Sequence, residues 1–275
     1  MKKVKMAGLK KVFLSIWILC HIEIFSSCKQ EGFFDDSGSA DTTPWYGLVQ
    51  TGYAYSFDAA IANPDPKFWD VAKQGYNAHL GGSPFLAVGF GRSLLYYLRL
   101  DVAYTYFQGF HYQKFQTITQ SPSESLGSNQ IRYFDLDHQN VMFNFSLYPE
   151  KYAKFSVAKL EISPYMGMGI GAGFFRMMNF HTVAYSGGVG STTSIGTKKN
   201  TAAFAWQGFA GIRLQPEKSC MNIDLGYRYY HGGKFIGPDF IYVNNKALEG
   251  RAISGAPWKG KLRANEWTFS FNFWF

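Results

Sequence analysis

Charge is scarce in this chain: 17% of its 275 residues are Asp, Glu, Lys or Arg, against 19% that are aromatic. That balance is too poor in charge and too aromatic for an ordinary soluble enzyme. Long apolar runs are missing as well. Beyond the N-terminal segment nothing approaches the roughly 20 apolar residues of a membrane-crossing helix, so if the chain crosses a bilayer it does so with strands. Cysteine is scarcer still, at three residues. Cys20 and Cys28 fall in or at the edge of a leader, which leaves Cys220 alone and predicts neither a disulfide framework nor a thiolate metal site. Length leaves one large all-β domain or two smaller ones open.

What is present begins with a secretory leader. Lys2, Lys3, Lys5, Lys10 and Lys11 form a basic start, and the apolar run over 12–25, interrupted by His21 and Glu23, is too short for a comfortable span. Residues 1–28 read as a signal peptide. The sequence Phe25-Ser26-Ser27-Cys28 allows two processing routes, ordinary cleavage just after Cys28 or lipidation at Cys28. Removing the leader, with its five lysines and single glutamate, halves the net charge from +8, a modest excess that predicts no nucleic-acid partner. Residues 29–44 are polar and aperiodic, a flexible periplasmic lead-in.

From Trp45 onward, segments of about ten residues alternate in hydrophobicity, the length a tilted strand needs to cross a bilayer. Period two puts successive side chains on opposite faces. Thus Thr51, Tyr53 and Tyr55 oppose Gln50, Gly52 and Ala54; Leu100, Val102 and Tyr104 oppose Arg99, Asp101 and Ala103. Phe143 and Phe145 oppose Asn144 and Ser146, and Leu225 and Tyr227 oppose Asp224, Gly226 and Arg228. Arg and Asp in such segments identify the inner face, because a charge facing lipid at mid-depth costs several kcal/mol. Met166, Met168 and Ile170 alternate with Gly167, Gly169 and Gly171, and a further segment carries Gln207 and Arg213 inward. The last segment sets Trp267, Phe269, Phe271, Phe273 and Phe275 against Glu266, Thr268, Ser270, Asn272 and Trp274. Left in water, such a terminal strand would be an aggregation hazard; Phe271, Phe273 and Phe275 read as a C-terminal assembly signal for the barrel-assembly machinery.

Eight such segments are joined by alternately short and long links. The long ones, 58–84, 109–139, 176–200 and 231–263, read as external loops and the short ones as periplasmic turns. The expected fold is all-β, an eight-stranded antiparallel up-and-down transmembrane β-barrel over 45–275. Ten strands stay open, because parts of the long links such as 131–136 could extend the sheet.

The segments PFLAVGFGRSLLYYLRLDVAYTY, ISPYMGMGIGAGFF, FAWQGFAGIRL, NIDLGYRYYHGGKF and FSFNFWF resemble the opacity-protein and OmpA-type superfamily of small outer-membrane barrels. The resemblance implies a Gram-negative cell-surface location with outer-membrane lipid and lipopolysaccharide as neighbours. Members differ in role, from adhesion and membrane structure to passage of small solutes.

Candidate sites follow from side-chain chemistry. Arg99, Asp101, Asp224, Arg228 and Glu266 fall on inward positions. They form either an ion-pair plug, favoured because eight strands enclose little more than their own side chains, or the lining of a narrow porin-like channel, an alternative that the glycine-lined segment keeps open. Lys234, Lys246, Arg251, Lys259, Lys261 and Arg263 make the last long loop basic. It suits lipopolysaccharide phosphates or another acidic surface ligand, or it is simply solvated. His231 lies near Glu266 in sequence pairing, as in a lipid A esterase, but Gly233 stands where a nucleophilic serine is needed, so no catalytic residue is assigned. His111, His138 and His181 lack paired ligand spacing and read as solvated loop residues. No metal or cofactor is expected. The stretch SGGVGSTTSIGT reads as a mobile loop rather than a phosphate-binding one. The leading function is a structural or surface-binding, adhesin-like barrel.

Overall fold

The computed structural model describes residues 45–61, 79–95, 97–116, 129–149, 153–186, 189–217, 219–239, 241–243 and 259–275. The leader, the lead-in, Cys28, Lys246 and Arg251 lie outside these. Eleven strands follow in chain order: β1 (Trp45–Ser56), β2 (Gly81–Leu95), β3 (Leu98–Gln116), β4 (Asn129–Leu147), β5 (Phe155–Val157), β6 (Leu160–Ser186), β7 (Val189–Gly196), β8 (Lys199–Pro216), β9 (Met221–Ile236), β10 (Ile241–Val243) and β11 (Lys259–Trp274). Eight of them, β1, β2, β3, β4, β6, β8, β9 and β11, form a closed antiparallel ring in which β6 meets β8 and β1 meets β11. Eight strands, not ten, close the barrel. The short β5 hairpins onto the start of β6, while β7 and β10 add to the sheet beside its far end.

The ring closes because the inward and outward sets agree on every strand. Tyr53, Val88, Val102, Phe143, Ile170, Ile212 and Trp267 project outward and are exposed, while Ala54, Ala87, Asp101, Asn144, Arg213 and Glu266 are buried. Aromatic rings bound this apolar exterior at two levels. Trp45, Phe90 and Phe275 cluster near the chain termini, and Phe57, Tyr229 and Trp206 cluster at the other end. Along β1 the two levels are separated by roughly 25–30 Å, given a rise of about 3.3 Å per residue and a tilt near 40°. This is the height of a lipid-facing band, with the long links at its outer end.

Above the outer ring the strands continue. β6 alone runs for 27 residues, far beyond the ten or so that cross a bilayer, and 131–136 belongs to β4. Much of what read as long loops is therefore strand, and SGGVGSTTSIGT is largely β7 rather than a mobile loop; its β-branched Val, Thr and Ile residues suit a pleated surface. The alternation hid this because it slips at three bulges. The register shifts between Phe107 and Phe110 on β3, between Tyr133 and Asp135 on β4 against β6, and between Leu262 and Arg263 on β11 against β9. Gly109 at φ 117°, Asn179 at φ 54° and Gly233 at φ 89° supply the left-handed backbone that these sites need. On the strands that carry the extra residue, β3, β6 and β9, the inward parity changes past the bulge, so a fixed period of two fails there, whereas β4 and β11 keep theirs.

The bulges mark a change of interior. Below them the lumen is polar and the wall apolar. Above, Phe107, Phe110, Phe134, Leu136, Phe175 and Phe235 fill the inside, and His111, Asp137 and Lys234 stand on the outside. One further correction concerns Cys220, which is disulfide-bonded and not the isolated thiol that the sequence predicts.

Phe143 is 62% exposed on the apolar wall. Its replacement by Arg is expected to cost about 2–4 kcal/mol, measured by urea unfolding of the protein refolded in lipid vesicles; no change would mean that this wall does not face lipid.

Candidate functional site

The lower lumen is organised around two ion pairs. Arg213 on β8 stands directly across from Asp224 on β9; its Nε and Nη2 donate to the two carboxylate oxygens at 2.7 and 2.8 Å. The same carboxylate accepts from the Tyr148 hydroxyl at 3.2 Å and from Asn272 Nδ2 at 2.9 Å. The Tyr148 ring lies between two guanidinium groups, 3.9 Å from Arg99 and 3.8 Å from Arg213, and Arg99 also lies 4.4 Å from the Trp274 ring. These cation–π contacts hold a buried Arg where water is excluded.

The second pair joins Arg228 to Glu266, cross-strand neighbours on β9 and β11. Arg228 also donates to Gln50 Oε1 at 3.0 Å, and Gln50 in turn donates to Ser270 at 2.7 Å. Asp101 belongs to neither pair. It accepts from the Tyr46 hydroxyl at 3.0 Å and from Asn144 at 2.7 Å, and Asn144 accepts from Gln207 at 2.6 Å. The five lumen residues named from the sequence are thus all buried here, but sorted into three clusters. Asn144, Gln207 and Arg213 read as inward in the sequence but without their partners, and Tyr46 and Tyr148 were not among the candidates. A signal for one pairing existed: Arg213 and Asp224 stand almost symmetrically about the short turn between β8 and β9.

A cavity of about 60 Å³, roomy enough to hold ordered water, sits among these groups. The inward glycines of β6 do not widen it. A Cβ on Gly167 would stand 2.4 Å from the Phe209 ring, and one on Gly169 would stand 2.2 Å from Asn144 Oδ1. Their space is already filled by neighbours. Above the cavity lies the apolar layer, and set into it are His138 Nε2 and the Tyr230 hydroxyl, 2.8 Å apart. His138 is fully buried, so it is not a solvated loop residue; β4 extends past it. His111 and His181 stand on the outside, near Asp135 and Asn179 respectively.

His231 and Glu266 occupy opposite faces of the sheet. The imidazole stacks on Trp206 outside the barrel, centroids 5.7 Å apart, while Glu266 is fully buried inside. Glu266 therefore cannot orient that histidine. Arg263, cross-strand from His231, pairs with Asp58 at 2.6 Å. Lys234 and Lys261 face each other across β9 and β11, and Lys259 follows two residues earlier on the same face. Phe271 and Phe273 lie on the outer face of β11, and the exposed Phe275 ring lies 5.9 Å from that of Phe90.

The fold defines a class, the small transmembrane β-barrel of bacterial outer membranes. No protein-family model matches the chain, and no curated protein matches it in sequence. Among solved structures it is similar to the outer membrane protein OprG from Pseudomonas aeruginosa, at 12% identity and a TM-score of 0.45 over 85% of this chain and 97% of that one. It is also similar to Neisserial surface protein A, at 13% identity and 0.36 over 84% and 97%. A third is Ail, the attachment invasion locus protein of Yersinia pestis, solved with the heparin analogue sucrose octasulfate, at 10% and 0.32 over 85% and 100%. These likenesses are of fold.

Removing one member of a buried pair strands the other charge. Arg213→Met is expected to destabilise the barrel by about 3–5 kcal/mol, whereas Arg213→Met with Asp224→Leu should recover much of that loss in the same vesicle unfolding assay. Equal loss in the single and double variants would deny the pairing.

Proposed function

We propose that this protein is a plugged outer-membrane barrel whose role is structural and surface-binding, exercised at its external end and not through its lumen. The observation that carries the reading is the apolar layer of Phe107, Phe110, Phe134, Phe175 and Phe235 lying across the bore above the ion pairs. Ions need polar groups or water along their whole path, and a packed aromatic layer supplies neither. The polar network below it is then a filling that stabilises the barrel, each charge answered by a partner or a ring.

A non-enzymatic role is consistent with His231 and Glu266 standing on opposite faces. The extended upper strands and the basic residues beside them offer the surface on which a host or surface ligand would be met. The same reading takes 1–28 as the export signal, with lipidation at Cys28 as the alternative processing route, 29–44 as a periplasmic lead-in, and Phe271, Phe273 and Phe275 as the signal recognised during barrel assembly.

The competing reading is a narrow solute channel lined by Arg99 and Arg228. In planar bilayers the refolded mature protein is expected to be electrically silent, as are Arg99→Ala and Arg228→Ala, because the apolar layer remains in each; a heat-dependent gel shift establishes that each has folded. Discrete openings in the wild type, altered by either substitution, would make it a channel.

A further inference from the structure

We infer that the outer wall formed by β9 and β11 binds a phosphorylated membrane lipid, its phosphate held by Lys234, Lys261 and Arg263 and an acyl chain lying in an apolar groove beneath them. The inference rests on the barrel being embedded with its long links outward.

Three observations converge on this wall. The first is charge. Lys259, Lys261 and Arg263 occupy alternate positions of β11 and share its outer face, about 7 Å apart, and Lys234 stands directly across from Lys261. Like charges directly opposed destabilise a sheet, and in a closed ring the strands cannot slip to separate them. Asp58 answers Arg263; among the described residues no carboxylate pairs with the three lysines. A phosphate seated between Lys234 and Lys261 turns that repulsion into attraction, through charge-assisted hydrogen bonds.

The second is direction. Gly260, Leu262 and Ala264, which alternate with the cations, are buried inward. The basic side chains therefore leave the wall sideways, just above Trp206 and Tyr229 of the outer aromatic ring. Aromatic rings of this kind sit at headgroup level, so the cations stand where lipid phosphates are.

The third is the groove. On β9 and β11 and their neighbours β8 and β1, closer to mid-depth, Tyr53, Ile212, Leu225, Tyr227, Trp267 and Phe269 line an open apolar depression of about 620 Å³. Between groove and cations the Tyr227 hydroxyl donates to Asn265 Oδ1 at 2.6 Å, a polar step at the depth of a lipid's sugar or ester groups. Apolar groove, polar step and cation cluster repeat, in order, the chemistry of an amphiphile with a phosphorylated head. A soluble sulfated polysaccharide would meet the cations but would make no use of the groove.

The test is native mass spectrometry of the refolded mature protein in neutral detergent, with bisphosphorylated lipid A and with the same lipid stripped of phosphate. The expected result is retention of the phosphorylated lipid, weakened at least tenfold by K234Q/K261Q and by loss of the phosphates, since hydrogen bonds to charged groups are individually strong. If the double variant fails the gel-shift test of folding, Lys234→Gln and Lys261→Gln carry the test singly, each expected to weaken binding about threefold or more. Equal binding of both lipids, or undiminished binding by the variants, overturns the site. So does loss of heparin-oligosaccharide binding in variants that keep the lipid, which would assign the cations to a soluble polyanion. Bilayer conductance is read separately: openings would refute the plugged barrel while leaving the phosphate dependence to be judged on its own.

Discussion

Every other feature of this molecule depends on the closure of its hydrogen-bond ladder. In hydrocarbon an unpaired backbone N–H or C=O has no water to turn to and costs several kcal/mol. A sheet can enter only if its first and last edges meet. Here β1 takes β11 on one side and β6 takes β8 on another, so no edge is left in the lipid-facing band. Closure also sets the bore. Eight strands leave space for their own side chains and little else, and the inward faces of Gly167 and Gly169 on β6 are met closely by Phe209 and Asn144.

Closure forces a polarity on the wall, and the chain meets that demand differently at two heights. Within the band the outside is apolar, and the inside can carry charge if each charge is answered. Arg213 with Asp224 and Arg228 with Glu266 answer each other, and Arg99 lies between aromatic rings. Higher up water replaces lipid outside, and the arrangement inverts to that of a soluble barrel, with rings inside and polar groups outside. The hydrophobic effect acts inward in the upper part, whereas van der Waals packing and paired polar groups must hold the lower part. The apolar layer and the ion pairs are thus two answers to two solvents.

The lower storey was legible in the sequence because its signal is local: alternation over ten residues needs no knowledge of partners. Arg99, Asp101 and Glu266 were placed inward on that basis, and they are buried. Pairings were not legible in the same way. Asp224 meets Arg213 because of strand register, which alternation does not encode. The upper storey was hidden for a different reason. At Gly109, Asn179 and Gly233 the period of two slips by one residue on β3, β6 and β9, so strands that continue for another turn of the pleat looked like loops; His138, on β4, keeps the inward parity of Asn140 and looked solvated only because it fell in a long link. The facing of His231 away from Glu266 follows from counting parity along β9 and β11, a step that sequence proximity obscures.

The bulges have an evolutionary consequence as well. Because β3, β6 and β9 each reset their parity at a joint, the part above can change length or composition without rotating the lipid-facing residues below it. The lower ring is held by the thickness of a bilayer and by its buried charges. The upper storey answers only to its own apolar filling, so variation in what the cell surface displays is separable from insertion into the membrane. Such a molecule is two inheritable units on one continuous set of strands, with the joint written in three residues of left-handed backbone.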